Sequence, residues 1–116
     1  MSARGKSGGK RLSEEAMEAL AETFRLLSEP GRLKLLQELK SGERTVGDLV
    51  EASGMLQANV SKHLKSLYEG GLVTRRKEGV RVYYGVDGNF VYSLCGLVCE
   101  RLDKDQREWR EIDFMI

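Results

Sequence analysis

The stretch TVGDLVEASGMLQANVSKHLKSLYEGGLVTRRKEGVRVYYGV, residues 45–86, determines the fold that this sequence predicts. It begins with a short helical pattern in which Thr45 and Asp48 have the spacing of an acidic capping box. Gly54 follows, and glycine suits a sharp turn because it adopts a positive φ without strain. A longer helical pattern then runs from about Gln57 to Tyr68. Two helices joined by a tight turn are therefore expected here.

The second half of this stretch predicts a β-hairpin. The apolar residues of the longer helix recur at i, i+4 and i+7 and are expected to point inward; they are Val60, Leu64 and Leu67. Gly70 and Gly71 stop that helix. Two basic, β-branched segments then flank a hairpin tip at residues 78–80. Helix, turn, helix and hairpin in this order are the plan of a winged helix–turn–helix. The expected fold class is therefore mainly α (α+β), with about five helices and a two-stranded β-hairpin wing.

The flanking segments predict a single domain, residues 12–116, that follows a disordered basic arm over residues 1–11. Amphipathic helices are expected over residues 13–27 and 89–110. A chain of 116 residues has little core of its own, so the last helix needs a partner surface, and self-association is the simplest way to supply one. The apolar stripe of the first helix is expected to pack in the core or in a dimer interface. Another helix follows the first one, and its expected buried residues are Leu33, Leu36 and Leu39.

Composition excludes several classes of protein. The chain is 41% hydrophobic and 32% charged, as in soluble globular domains. No apolar run approaches the length of a membrane span, and nothing at the start resembles a signal peptide. We therefore expect a cytoplasmic protein that contacts no membrane and whose two cysteines are reduced. The single histidine, with no nucleophile–His–acid set and no phosphate-binding glycine loop, argues against an enzyme.

The distribution of charge points to double-stranded DNA as the partner. The net charge is only +1, but residues 57–81 contain six basic and two acidic side chains, a net charge of +4. Amides and hydroxyls at the start of the longer helix suit base edges, and basic residues on the hairpin suit phosphates. A solvated surface would explain the helix alone equally well, and the basic hairpin favours DNA. The candidate DNA-binding residues are Gln57, Ala58, Asn59, Ser61, Lys62, His63, Lys65, Arg76, Lys77 and Arg81.

The chain resembles the ArsR/SmtB family of small winged-helix repressors. The resemblance rests on LSEPGRLKLLQEL (27–39), TVGDLVEASGM (45–55) and QANVSKHLKSLYEGGLVTRRKEGVRVYYGV (57–86). It implies a homodimer built from the first and last helices, which binds a two-fold-symmetric operator and is released by an effector. Groove-facing positions of the family correspond to Gln57, Ala58, Ser61 and Lys62. His63 falls in the family's S-x-H-L string, where a packing or phosphate-side role is expected.

The metal-binding motifs of the family are absent from this sequence. Some relatives carry a Cys-x-Cys string in the third helix, where this chain has TVGDL. Others carry Asp and His pairs in the last helix, which contains no histidine here. One histidine and two cysteines do not easily supply four ligands per site. Sensing of zinc, cobalt or nickel is therefore not expected, and no cofactor is obligatory.

Cys95 and Cys99 share one face of the last helix because they are spaced i, i+4. Three interpretations remain open. Both are small core residues; or they bind a thiophilic effector such as As(III), Sb(III) or Cd(II); or they form a redox or reactive-sulfur switch. A direct bond between them would strain the helix, because bridged Cα atoms are usually about 5.5–6 Å apart. The expected function is that of a DNA-binding repressor released by an effector. If thiols sense that effector, Cys95 and Cys99 are the residues expected to do so.

Overall fold

The computed structural model describes residues 11–106. Within them the chain forms five α-helices, one 3-10 turn and three strands. In chain order these are α1 (Glu14–Leu26), α2 (Pro30–Glu38), the 3-10 turn (Leu39–Ser41), β1 (Arg44–Thr45), α3 (Val46–Ser53), α4 (Gln57–Glu69), β2 (Thr74–Glu78), β3 (Arg81–Gly85) and α5 (Phe90–Gln106). Residues 1–10 of the predicted arm, and residues 107–110 of the predicted last helix, lie outside the described residues.

The start of α3 has the predicted capping box. The Thr45 hydroxyl accepts a hydrogen bond from the Asp48 N–H (3.1 Å), and the Asp48 carboxylate accepts one from the Thr45 N–H (3.1 Å). The two groups satisfy donors that have no partner inside the helix. The backbone hydrogen bond from Thr45 is the main cause of a lowered pKa of Asp48. At its other end α3 stops at Gly54, which has the positive φ (74°) that the sequence predicts.

The two glycines after α4 have different physical roles. Gly71 has φ of 82°, and its N–H donates to the Tyr68 carbonyl (3.0 Å) while the Leu72 N–H donates to the Leu67 carbonyl (2.9 Å). This pair of bonds is a Schellman motif, which places a left-handed residue directly after the helix. Gly70 has an ordinary negative φ, but a Cβ there would overlap the side chain of Leu26. One glycine is therefore needed for its backbone conformation and the other for close packing of α1.

The core consists of apolar residues from α2, the 3-10 turn, α3 and α4, with one residue from the segment before β2 and one from α5. They are Leu35, Leu36, Leu39, Leu49, Val60, Leu64, Leu67, Val73 and Val91. The predicted inward residues of α4 are confirmed. Leu36 of α2 and Leu39 of the 3-10 turn are buried as predicted, but Leu33 is 39% exposed and Leu35 is fully buried. The prediction for Leu33 was wrong because α2 packs against both α3 and α4, and its buried face is centred between Leu35 and Leu36.

The wing is a β-hairpin joined by a third strand that the sequence analysis did not predict. β2 and β3 pair antiparallel, with Arg76 opposite Tyr83 and Glu78 opposite Arg81. β1 pairs with the other edge of β3, so the strand order is β1-β3-β2. β1 is only two residues long and directly precedes the α3 capping box, so it leaves no alternating pattern. Its effect is to attach the wing to the start of α3.

The two terminal helices have apolar side chains that the described chain does not cover. On α1 these exposed residues are Met17, Leu20 and Phe24, and on α5 they are Phe90, Leu97, Val98 and Leu102. The inner side of α5 is anchored by the buried Val91 and by Tyr92, whose hydroxyl donates to the Leu36 carbonyl (2.7 Å). Among residues 11–106, no helix has the length and hydropathy needed to cross a bilayer.

The end of α4 gives a prediction about stability. Gly71→Ala should lower the free energy of unfolding by about 1 kcal/mol, because an L-residue with a Cβ is strained in the left-handed conformation. Gly47→Ala is the matched control: it lies inside α3, where an added Cβ meets nothing closer than 3.8 Å. That change should raise the free energy of unfolding by about 0.5 kcal/mol. Urea unfolding measures both, and equal effects of the two substitutions would contradict the assignment.

Candidate nucleic-acid interface

The N-terminal half of α4 presents a polar surface opposite its buried face. Val60, Leu64 and Leu67 are fully buried. The predicted DNA-binding residues of α4, with one exception, are all exposed; they are Gln57, Ala58, Asn59, Ser61, Lys62 and Lys65. The first turn of α4 contains no acidic residue, so no carboxylate there offsets the partial positive charge of the helix N-terminus. Amide, hydroxyl and ammonium groups are therefore displayed together on one outward surface.

His63 is the exception among the α4 candidates. Its side chain is only 13% exposed, and its Nδ1 atom lies 4.0 Å from Glu29 Oε1 at the start of α2. A Cβ on Gly31 would come within 2.9 Å of His63 Nε2, so the imidazole packs closely on the α2 backbone. Arg32 is beside it, 3.6 Å from Glu29. Within the described residues, neither His63 Nδ1 nor Arg32 Nε has a hydrogen-bond partner. His63 therefore packs α4 against the start of α2. A DNA contact by His63 stays a prediction.

Arg76 is held by other residues of the protein. Its guanidinium pairs with Glu43 (2.8 Å) and with Glu78 (3.0 Å), and it lies over the Tyr83 ring, 4.8 Å from the centroid. Its pKa is raised above the usual arginine value, first by the hydrogen bond to Glu43 and then by that to Glu78. The same bond lowers the pKa of Glu43. Sequence reasoning missed the partner Glu43, since it is 33 residues from Arg76 and no spacing rule connects the two. It also missed Glu78, although residues two apart share one face of a strand.

The wing also carries two cations that remain available. Lys77 and Arg81 are exposed. Neither forms an ion pair or a side-chain hydrogen bond with any residue in the part of the chain that the structure describes. Arg75 instead lies over the Tyr68 ring, 4.5 Å from the centroid, and so connects β2 to the end of α4. The wing is therefore tied to the C-terminal end of α4, the end opposite its exposed polar half.

Cys95 and Cys99 lie on α5 as free, partly buried thiols. Cys95 packs against the hydrophobic core, and burial raises its pKa, with a smaller contribution from Cys99. Thiolate is the reactive and metal-binding form, so a raised pKa makes Cys95 a poor spontaneous nucleophile at neutral pH. Across residues 11–106, no group of three or more His, Cys, Asp or Glu side chains is placed to hold a metal ion. One described protomer thus offers a pair of thiols and no complete site.

The contact between Glu43 and Arg76 predicts a measurable titration. In Arg76→Gln the pKa of Glu43 should rise toward its ordinary value, because the charged hydrogen bond that lowers it is lost. Carboxyl-carbon NMR during a pH titration measures this shift. Lys77→Gln is the matched control, since it removes a neighbouring charge that does not pair with Glu43. A pKa of Glu43 that moves equally in both variants would contradict the pairing.

The same pair predicts how stability depends on pH. The pKa of Glu43 is lower in the folded protein than in the unfolded chain. The pair therefore stabilises the fold fully above the ordinary glutamate pKa, and this contribution is lost as the pH falls through the lowered pKa. Wild-type protein should be more stable than R76Q at neutral pH, and the difference should shrink in acid.

Comparison with known proteins identifies the family. Residues 29–75 match the family described as "Bacterial regulatory protein, arsR family". The chain is 46% identical over 66 residues to a probable mercury resistance operon repressor of Streptomyces lividans, and this match covers 57% of the chain and 53% of that protein. The chain thus spans about half the length of that relative. It is 38% identical over 72 residues to an arsenical resistance operon repressor of Staphylococcus xylosus, covering 62% of the chain and 69% of that protein.

Solved structures give the same result for the fold. The homodimeric winged helix-turn-helix DNA-binding domain Mb0332 of Mycobacterium bovis superposes with a TM-score of 0.71 at 30% identity, covering 87% of this chain and 97% of that one. By their names two of these proteins are operon repressors and the third is a possible ArsR-family transcriptional regulator, in agreement with the predicted class of protein. The chain is 38% identical to the arsenical resistance operon repressor, of which it covers 69%, and it has the predicted winged helix–turn–helix fold. It therefore belongs to the arsR family of bacterial regulatory proteins.

Proposed function

We propose that this chain is a transcriptional repressor that binds a two-fold-symmetric DNA operator as a homodimer and is released by an effector. One observation carries the DNA-binding part. The polar N-terminal half of α4 is exposed, and the wing exposes two cations, Lys77 and Arg81, that form no ion pair with any described residue. A helix with an outward polar N-terminal half, beside basic groups, suits a major groove bordered by phosphates.

The α4 residues divide into two chemical groups. Gln57 and Asn59 have side-chain amides, which pair with the N6 and N7 edge of adenine. Lys62 and Lys65 have ammonium groups for guanine or phosphate oxygens. Ser61 adds a short hydroxyl. Each good bidentate base contact contributes about 1–3 kcal/mol of discrimination, so one or two of them suffice for a sequence preference.

The wing supplies contacts that carry no sequence information. Lys77 and Arg81 are assigned to phosphates, because both are exposed and uncommitted among the described residues. Arg76 contributes in another way, since its guanidinium is already held by Glu43 and Glu78. It fixes the wing relative to β1 and so determines where Lys77 and Arg81 lie. This proposal revises the sequence-based expectation that Arg76 is itself a main phosphate contact.

The terminal helices support the homodimer. The exposed apolar side chains of α1 and α5 are of the kind that association buries. The expected interface comprises residues 13–27 and 89–110, and the relative Mb0332 is described as homodimeric. Two copies would present two α4 helices to half-sites about 34–36 Å apart, one turn of DNA. A small rotation at the interface would then displace both helices from their half-sites.

The effector is proposed to be a thiophilic metalloid or metal bound at Cys95 and Cys99, such as As(III), Sb(III) or Cd(II). Two relatives are named for resistance to arsenicals and to mercury, and such soft ions select thiolate ligands. A homodimer would bring up to four thiols to the interface. The raised pKa of Cys95 acts against oxidation and against metal binding alike, because both need the thiolate, so it does not decide between them. The alternatives are a redox or reactive-sulfur switch at the same two cysteines and a repressor with no cysteine sensor.

The DNA-binding proposal predicts a specific salt dependence. Selection from random duplexes should recover an inverted repeat bound by the full chain. Lys77→Gln should then reduce the slope of log affinity against log salt by about 1.8, since a dimer loses two phosphate contacts worth about 0.9 each. Arg81→Gln should act similarly. Lys34→Gln, an exposed lysine of α2, is the matched control and should leave the slope unchanged. Failure to enrich any sequence, or an equal effect of K34Q, would contradict the proposal.

The effector proposal predicts the loss of one response. Arsenite should weaken wild-type binding to the recovered duplex by roughly 5–150-fold, the usual range of allosteric coupling. The double variant C95S/C99S should bind that duplex normally and be insensitive to arsenite. Fluorescence anisotropy with and without arsenite, polysulfide or peroxide measures each response. Release of the double variant by arsenite would refute the sensor, and release of the wild type by polysulfide or peroxide alone would favour the redox alternative.

A further inference from the structure

Leu56 occupies a position that neither packing nor helix capping explains. It is the N-cap residue of α4, and its side chain is 73% exposed. N-cap positions favour Ser, Thr, Asp and Asn, whose side-chain oxygens accept a hydrogen bond from the first turn, and leucine is among the least favoured residues there. No side-chain cap is present at this end of α4. The chain therefore exposes a large apolar group where a small polar one would make the helix more stable.

The backbone of Leu56 is nevertheless fixed as part of the helix start. Its carbonyl accepts hydrogen bonds from the N–H groups of Asn59 and Val60, both at 3.0 Å. The residues that follow it, Gln57 and Ala58, are exposed at the same end of α4. Leu56 and Ala58 thus place two apolar side chains among the amides proposed to read base edges. An apolar group there has a single complementary partner on the floor of the major groove, the 5-methyl group of thymine.

We infer that Leu56 is a specificity-determining residue that contacts the 5-methyl group of a thymine in each half-site. This inference rests on the proposed DNA-binding function. Contact between leucine and the methyl group removes apolar surface of both from water. Guanine and adenine present hydrogen-bonding atoms in the major groove and cytosine presents an amino group, so none of them offers this apolar partner. Leu56 thereby adds a preference for thymine that the polar residues of α4 do not supply.

The test removes the methyl group from the DNA and the leucine from the protein. In the duplex recovered by selection, each dT is replaced in turn by dU, which differs from it only by the 5-methyl group. At one position per half-site, the replacement should weaken wild-type binding by roughly fourfold per half-site, the effect of one buried methyl-sized group. L56S should bind the dT and dU duplexes equally. L56M, which keeps an apolar side chain, should retain most of the dU penalty.

Two controls separate this effect from misfolding and from general loss of affinity. L56S supplies an N-cap hydroxyl, so its thermal stability should equal or exceed that of the wild type. V80S removes another exposed apolar side chain, 97% exposed at the tip of the wing. Because the methyl group lies in the major groove, V80S should leave the dU penalty unchanged.

Each outcome decides the question. A dU penalty present in the wild type, L56M and V80S but absent in L56S supports the contact. No dU position that weakens wild-type binding, or a penalty that persists in L56S, overturns the inference while the repressor proposal stands. A selection that recovers no duplex overturns the inference together with the proposed function.

Discussion

The burial of one face of α4 is the constraint on which the rest of this structure depends. Val60, Leu64 and Leu67 have no exposed surface, and they meet the leucines of α2 and α3 in one cluster. Complete burial of a leucine or valine side chain contributes about 1.5–3 kcal/mol, so rotating α4 about its axis would cost several such contributions. The rotation of α4 is thereby fixed, and with it the set of residues that faces outward. The proposed contacts of this surface with base edges need this rigidity, because such contacts fail when displaced by an ångström.

The wing depends on a second, electrostatic constraint. A two-stranded hairpin alone is marginally stable in water. Here β1 adds a short third strand, and Glu43, just before β1, holds Arg76 of β2. Gly85 permits this approach, since a Cβ there would lie 3.0 Å from Glu43 Cγ. The exposed cations of the wing are consequently carried on a sheet tied to the start of α3. Exposed ion pairs are individually weak, so the two ion pairs of Arg76 hold the wing in place together with the pairing of its strands and not alone.

Local patterns predicted the parts of the fold that local physics controls. The inward face of α4 follows from helical periodicity, the capping box from the spacing of Thr45 and Asp48, and the positive φ of Gly54 from its place after α3. What failed or was missed depends on contacts between distant segments. β1 forms only because β3 offers it an edge, and Arg76 is committed only because the fold brings Glu43 to it. Leu33 is exposed, contrary to the prediction, because α2 packs against both α3 and α4, which bury Leu35 and Leu36.

The same separation between local pattern and tertiary contact applies to the cysteines. Their spacing shows a shared helix face, but it does not show that Cys95 packs on the core beside Tyr92. Burial, and then Cys95, raises the pKa of Tyr92, whose hydroxyl donates to the Leu36 carbonyl. Leu36 belongs to α2, which packs directly on α4. An effector bound at Cys95 would therefore act one helix away from α4. It would shift the protein off DNA only to the extent that it binds the DNA-free arrangement of α5 more tightly than the DNA-bound one.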